Sequence, residues 1–546
     1  MRIVRSRNEG GRLRAISAAR LLAFVALAFP SMGAFATAAL PAQPQTFDTT
    51  YTAPTGNTIN VASGGDLQAA LNSANLGDTI VLQAGAKFTG PFTLPNKTSG
   101  SGWIYVRSSA YGNLPAPGKR VAIADAANMP KILATLSGIT ALKTVAGSHH
   151  FRFVGIEFAP VAGNFIYTLV TIGNSDTSAT TLPTNIVFDR CYIHGDPTVG
   201  GRRGLEMDGK YIAVINSYFA DFKESGSDSQ AAWAYNTTGP LQLINNHFEA
   251  AGENVMFGGA DATIPNAVPS DIEIRRNDFY KPLTWITASW TVKNLLEFKN
   301  ARRVLVDGNV FTNNWLAAQS GFTLLLTPRN QNGSAPWSAT QDIAITNNQF
   351  SNIGSGINIL ATDSPNTSQR TDRVLIRNNL FSVTALNGAD GRLFQLLSGP
   401  LDVTIDHNTG FLVAAYGFSE NSPKADQFDF TNNLVANGKY GFTGTSVGDG
   451  TAALTAYYTN WTFTHNAVIS GVASDYPTGN FFPATTTAVQ FVNFATGDFH
   501  LASSSPYKSA GTDGKDIGAD IDAILRAYAG GTLPAKPNPL ASFAVH

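Results

Sequence analysis

Glu297 and Lys299 stand two residues apart in Leu296-Glu297-Phe298-Lys299, and Arg329 follows downstream. On a β-strand that spacing sends both side chains to the same side. An amine near further positive charge suits proton abstraction beside a carboxylate: the amine takes the proton and the cation balances the negative charge that develops. Glu253 and Asn254 form a second polar group, interrupting the small and apolar residues of Ala251-Gly252-Glu253-Asn254-Val255-Met256-Phe257-Gly258. Glu206 and Asp208 repeat the alternate spacing with two carboxylates, and Trp233 and Tyr235 repeat it with two rings. Aromatic faces stack on pyranose rings, carboxylates and amides hold hydroxyls, and Lys or Arg pair with acidic groups. Asp228 and His194 sit on loops that can lean over such a face, and Asp261 follows the Glu253 strand.

Composition limits what can position these groups. The chain has 546 residues, 37 Lys+Arg against 38 Asp+Glu, a net charge of -1, and only 14% charged residues. Clustered basic charge for phosphates is missing, which argues against a nucleic-acid partner. The 43% hydrophobic content is enough for a large core and argues against disorder. A single cysteine, Cys191, excludes an internal disulfide framework and a thiolate-rich metal site. Residues 1–36 read as a Sec-type signal peptide of bacterial kind. Arg2 to Arg20 make a basic start, Leu21 to Phe29 an apolar core, and Ala34-Phe35-Ala36 a small-x-small cleavage site. The expectation is a secreted or periplasmic protein, not inserted in a membrane after cleavage, and acting as a monomer.

A repeat supplies the architecture. The pattern apolar-x-apolar-x-x-Asn-x-apolar recurs at Asn246, Asn277, Asn309, Asn348, Asn379, Asn408, Asn433 and Asn466, with weaker copies near Ile156, Cys191 and Ser217. Each copy alternates like a strand and then breaks at the Asn. Strands with one buried face must stack on their neighbours. Asn suits the break, since it tolerates the left-handed region and its amide can bond the Asn one coil away. The reading is an all-β, right-handed parallel β-helix of about ten or more coils. Varied repeat spacing and long loops favour it over the left-handed hexapeptide type. Asp66 is placed as N-cap of a short helix that covers the first coil. The domain plan is an extension over 37–60, the β-helix over 61–520 and a tail over 521–546.

In this register the outward columns run Glu206, Trp233, Met256, Glu297, Leu325 and Asp208, Tyr235, Gly258, Lys299, Thr327, with adjacent coils about 4.8 Å apart. Trp285, Trp290, Trp315 and Trp337 lie in the longest loops and are expected to build the wall of a sugar groove. Plainer roles compete: Lys299 reads as a solvated outward lysine, Arg329 and Glu253 equally as loop braces, His194 as a turn cap, and Trp233 with Tyr235 as cover for apolar surface.

Gly64-Gly65-Asp66-Leu67-Gln68, Gly77-Asp78-Thr79-Ile80-Val81-Leu82 and the Asn repeats resemble the extracellular right-handed β-helix superfamily, which includes pectate lyases and chondroitinase B-like and alginate lyases. Glu297-Phe298-Lys299 followed by Arg329 is similar to the Lys-then-Arg arrangement of the latter. The resemblance implies a polysaccharide lyase cleaving a uronate-containing glycan by β-elimination. Lys299 would then be the base, Arg329 would assist, and Glu253 would take part. Glu206, Asp208, Asp228, Trp233, Tyr235, Glu297, His194 and Asn254 would hold the sugar. The acidic calcium ligands of that group are not matched one for one, so calcium through Asp261, Glu253 or Glu297 is left open, and no cofactor is certain. Two alternatives stay beside the lyase: a glycoside hydrolase using paired carboxylates, and a non-catalytic carbohydrate-binding solenoid of the cell surface.

Overall fold

The computed structural model describes residues 37–530 apart from Asn174, Pro365 and Asn421. Residues 1–36, read from the sequence as a signal peptide, and residues 531–546 lie outside the described residues. Three long sheets carry nearly all the strands. The first has 14 strands, from Thr58–Val61 to Trp461–Thr464; the second has 12, from Phe92–Leu94 to Gly441–Gly444; the third has 13, from Lys87–Thr89 to Ala467–Ile469. One coil shows the path. Leu241–Ile244 runs in the first sheet, His247–Glu249 in the third and Glu253–Phe257 in the second, and the chain re-enters the first at Ser270–Arg275. Each strand pairs in parallel with its counterparts one coil away. The chain is a right-handed parallel β-helix.

The Asn repeat is the spine of this stack. The main-chain N–H and the side-chain amide of Asn246 both donate to Asn277 Oδ1, at 2.8 and 3.0 Å. The same double bond repeats through Asn309, Asn348, Asn379, Asn408, Asn433 and Asn466. Upstream, Cys191 N–H donates to Ser217 Oγ and Ser217 N–H to Asn246 Oδ1, so the cysteine fills a ladder position and is buried. One detail differs from the expected chemistry. The left-handed residue at each break is the one before the ladder Asn: Arg190, Asn216, Asn245, Arg276, Gly308, Asn347, Asn378, His407, Asn432 and His465 all have positive φ. That arrangement frees the ladder amide to point inward. Two residues on, Phe279, Phe311, Phe350 and Phe381 stack inside the coil with ring centroids 4.6, 4.6 and 4.5 Å apart.

The ends of the stack are covered. Helix Leu67–Ser73 buries Leu67, Ala70 and Leu71 over the first coils, and Asp66 Oδ1 caps it by accepting from Ala69 N–H at 2.9 Å. Within the stretch read as a C-terminal tail, Ile521–Ala529 is a helix whose Ile521, Ile524 and Leu525 pack with Leu380, Phe411 and Leu434. The N-terminal extension is a strap along the outer side of the first sheet. Backbone N–H groups of Ala38, Ala39, Ala42 and Gln45 donate to Asp429, Asp402, Asp342 and Asp271. Arg303 and Arg373 grip Asp271 and Asp342 from the other side with paired hydrogen bonds. Among the described residues no helix is long and apolar enough to cross a membrane.

Two stability predictions follow from these contacts. Asn348→Ala leaves the Asn309 N–H unpaired inside the stack and removes the bonds to Val306 O and Asn379, which should cost about 3 kcal/mol in a denaturant titration. A loss under about 1 kcal/mol would remove the ladder from the account. In the strap, burial opposes ionisation of Asp271 and Asp342, but the Arg hydrogen bonds, the strap N–H groups and the Arg charges outweigh it and hold both carboxyls below the ordinary range. Their contribution is therefore complete above the unfolded Asp pKa of about 3.9 and lost as pH falls through the lowered folded values. Asp342→Asn should destabilise the protein at pH 7, and the difference from wild type should shrink in unfolding scans as pH drops below about 4.

Candidate functional site

The outward columns of the second sheet assemble as the alternation requires. Glu206 pairs with Trp233, Trp233 with Met256, Met256 with Glu297 and Glu297 with Leu325 on successive coils. Just past the strand ends, Lys299 N–H donates to Phe257 O, Thr327 N–H to Phe298 O and Arg329 N–H to Lys299 O. These bonds stack Lys299 and Arg329 on neighbouring coils. The position one coil before Lys299, Gly258, must be glycine, because a Cβ there would stand 2.6 Å from Asn300 N and its φ is +91°.

Charge on this face is arranged in connected pairs. Glu297 Oε1 accepts from Thr327 Oγ at 2.8 Å, with Lys299 Nζ 3.6 Å away. Arg329 forms an ion pair with Asp363, a residue the sequence reading did not single out. Burial raises the Asp363 carboxyl, against the pull of Arg329 and Lys299. Lys293 Nζ is 2.6 Å from Asp228 and 3.7 Å from Glu253 Oε1. Glu253 Oε2 accepts from Gln230, whose Oε1 in turn accepts from Arg203. Part of Glu206 reaches solvent, but burial of its carboxyl pushes it up to about 7, with Arg203 pulling the other way.

Several candidate residues serve the scaffold. Glu253 is fully buried beneath the face, and burial raises its carboxyl. Asn254 is also fully buried; its amide donates to Phe248 O and Tyr280 O and its oxygen accepts from Lys281. Lys281, itself buried, donates to the carbonyls of Ala250, Ala251 and Gly252, and its removal from water lowers its pKa to about 7. Asp208 is buried and accepts from the N–H groups of Tyr235 and Asn236. Trp233 is only 7% exposed: Arg203 lies 4.2 Å from one ring centre, Tyr235 stacks at 4.5 Å, and Nε1 donates to Gly258 O. It offers no open platform, whereas Tyr235 keeps part of its ring in solvent.

Two candidates stand apart from the group. His194 belongs to the third sheet, where it stacks on Tyr192 at 4.2 Å and meets Glu157 at 3.2 Å, so it does not share the Lys299 face. Asp261 Oδ2 accepts from Asn332 N–H, Ser334 N–H and Ser334 Oγ, bracing the turn after Arg329. Among the described residues no group of three or more His, Cys, Asp or Glu converges to hold a metal ion. Ammonium groups already stand against Glu253 and Glu297, and Asp261 is committed to its turn; these residues do not fit calcium.

The residues missed by sequence reasoning share a cause. Arg203 lies three positions before Glu206, which strict alternation sends inward, yet its guanidinium lies over the Trp233 ring and donates to Gln230, and it is Gly204 whose Cβ would meet the buried Phe222 ring at 2.7 Å. Lys293 arrives on the 281–294 excursion, pinned by Trp285 and Trp315 packing with Ala251 and Val292. These tryptophans hold the excursion down, a role different from lining a groove. Trp337 Nε1 donates to Ala267 O and ties two loops together.

No protein-family model matches the chain, and no curated protein matches it in sequence. Solved structures do match. A mannuronic acid specific polysaccharide family 6 lyase from human gut microbiota is 13% identical with a TM-score of 0.51, over 79% of this chain and 92% of that one. The PL6 family alginate lyase AlyGC is 14% identical with a TM-score of 0.50, over 85% of this chain and 58% of that one. At this identity the likeness is one of fold, the right-handed parallel β-helix.

Proposed function

We propose that the protein is a secreted polysaccharide lyase that acts on a uronate-containing glycan along the outer face of its second sheet. The observation that carries this reading is the stacking of Lys299 and Arg329 on adjacent coils, each with a carboxylate at its base and its own end in reach of solvent, at side-chain exposures of 13% and 35%. A uronate carboxylate docked on Arg329 has its charge balanced, which acidifies the neighbouring C5 proton. Lys299 first gives up its own proton to solvent and then, as the free amine, takes the C5 proton. The C5–H electron pair becomes the C4=C5 double bond, the C4–O bond breaks with its electrons going to the departing oxygen, and that oxygen takes a proton from water to become a new hydroxyl. Glu297 and Thr327 hold Lys299 in place, while Glu206 and Tyr235 sit farther along the same face, where they suit neighbouring sugar hydroxyls. The fold likeness to a mannuronic acid specific lyase and an alginate lyase supports the substrate class. The basic and apolar pattern of residues 2–29 supports export.

A second reading rests on Glu206. A carboxyl pushed up to about 7 is protonated near neutrality and can donate to a glycosidic oxygen, as a hydrolase requires. Activity of that kind would be highest below pH 7 and fall as Glu206 ionises.

Purified protein incubated with polymannuronate, pectate, hyaluronan and chondroitin should generate the ultraviolet absorbance of unsaturated ends on at least one of them. Lys299→Ala should reduce that rate about 100- to 10,000-fold while the protein remains folded. New reducing ends without absorbance would select the hydrolase, binding without cleavage would select the solenoid that only binds, and full activity in Lys299→Ala would remove the lysine from the reaction.

A further inference from the structure

The acidic groups under this face raise a question the lyase reading leaves open: what balances them. Asp228, Glu253 and Glu297 crowd together, and Glu253 is fully buried. Carboxylates in such a place are unfavourable without a cation. A divalent ion is one solution, but the geometry supplies another.

We propose that Lys293 is the built-in counter-cation of this site, so that the face carries its acidic cluster without a divalent ion. The excursion over residues 281–294 leaves the third sheet, folds Trp285 and Val292 against Ala251 and Trp315, and returns to the second sheet at Leu296. Lys293 N–H donates to Ala251 O and Thr291 N–H to Glu224 O, which anchors its last turn. The ammonium lands 2.6 Å from Asp228 Oδ2 and 3.7 Å from Glu253 Oε1. Burial works against its charge, but Glu253 and the hydrogen-bonded Asp228 outweigh burial and hold its pKa above the ordinary lysine value. Glu253 is faced by Lys293, Asp228, Glu297, Lys299 and Arg203, and Lys281 lies below it. Lys281 is already saturated by three carbonyls and Asn254, and Lys299 is held at Glu297. Lys293 therefore bridges two carboxylates that would otherwise repel. It is a positioning residue, and its role is the same whether the face eliminates, hydrolyses or only binds.

The test uses the full chain and calcium chloride as probe, read by thermal unfolding. At pH 8, Lys293→Met should melt about 3–5 °C below wild type. Loss of the ammonium raises the Glu253 carboxyl further, so the deficit should be present above that pKa and shrink as pH falls through it. Calcium at millimolar concentration should recover part of the deficit in Lys293→Met, and should leave wild type and Lys293→Arg unmoved. A calcium-dependent rise in wild type that disappears in Glu297→Gln would overturn the proposal, as would a Lys293→Met protein that melts with wild type at pH 8. If Lys293→Met fails to fold, the wild-type and Glu297→Gln calcium comparison still decides it. Because no arm reads activity, failure here is separate from failure of the lyase reading.

Discussion

The internal Asn ladder is the constraint on which the rest depends. A parallel stack of short strands has no local turn to set its register, because each strand meets its partner only after a full coil. The doubled bond from the main-chain N–H and the side-chain amide of one Asn to the next sets that register once per coil. A slip of one residue would turn every outward side chain inward. Lys299 beside Glu297, and Arg329 above them, thus owe their common face to an interaction buried on the far side of the coil.

Function is built from what the regular coil leaves free. Inward positions are taken by aliphatic and phenylalanine side chains, and the first sheet is covered by the N-terminal strap. The second sheet keeps its outer face, and the excursions at its edges bring in residues that alternation alone cannot place there: Lys293 from one side, Arg329 and Asp363 from the other. Buried carboxylates are tolerated there because each meets a donor or a cation, as Glu253 does through Gln230 and Lys293. The polar groups at the rim rest on a packed base, which keeps them in fixed positions.

Much of the fold was legible in the chain. The Asn spacing, the Phe two residues later and Asp66 before Leu67 are local patterns with local causes, and all three appear where they were read. The outward column from Glu206 to Leu325 was legible for the same reason. Other features depend on contacts between distant segments. Trp233 alternates outward as expected, yet Arg203 and Tyr235 cover it, which no spacing within its own strand reveals. His194 sits in a similar polar turn, but the coil assigns it to the third sheet. The left-handed residue before each ladder Asn ranges over Arg, Asn, Gly and His, so residue type carries little signal there. Lys293 was invisible because its excursion follows packing of tryptophans and not a repeat.

The most direct measurement is a crystal structure of the Lys299→Ala protein soaked with a mannuronate oligosaccharide. The account predicts sugar density along the outer face of the second sheet, with a uronate carboxylate on Arg329 and its C5 facing the vacated position of the lysine. Density confined to another surface, such as the cleft lined by His407, His500 and Lys508 near the C-terminal helix, would contradict it.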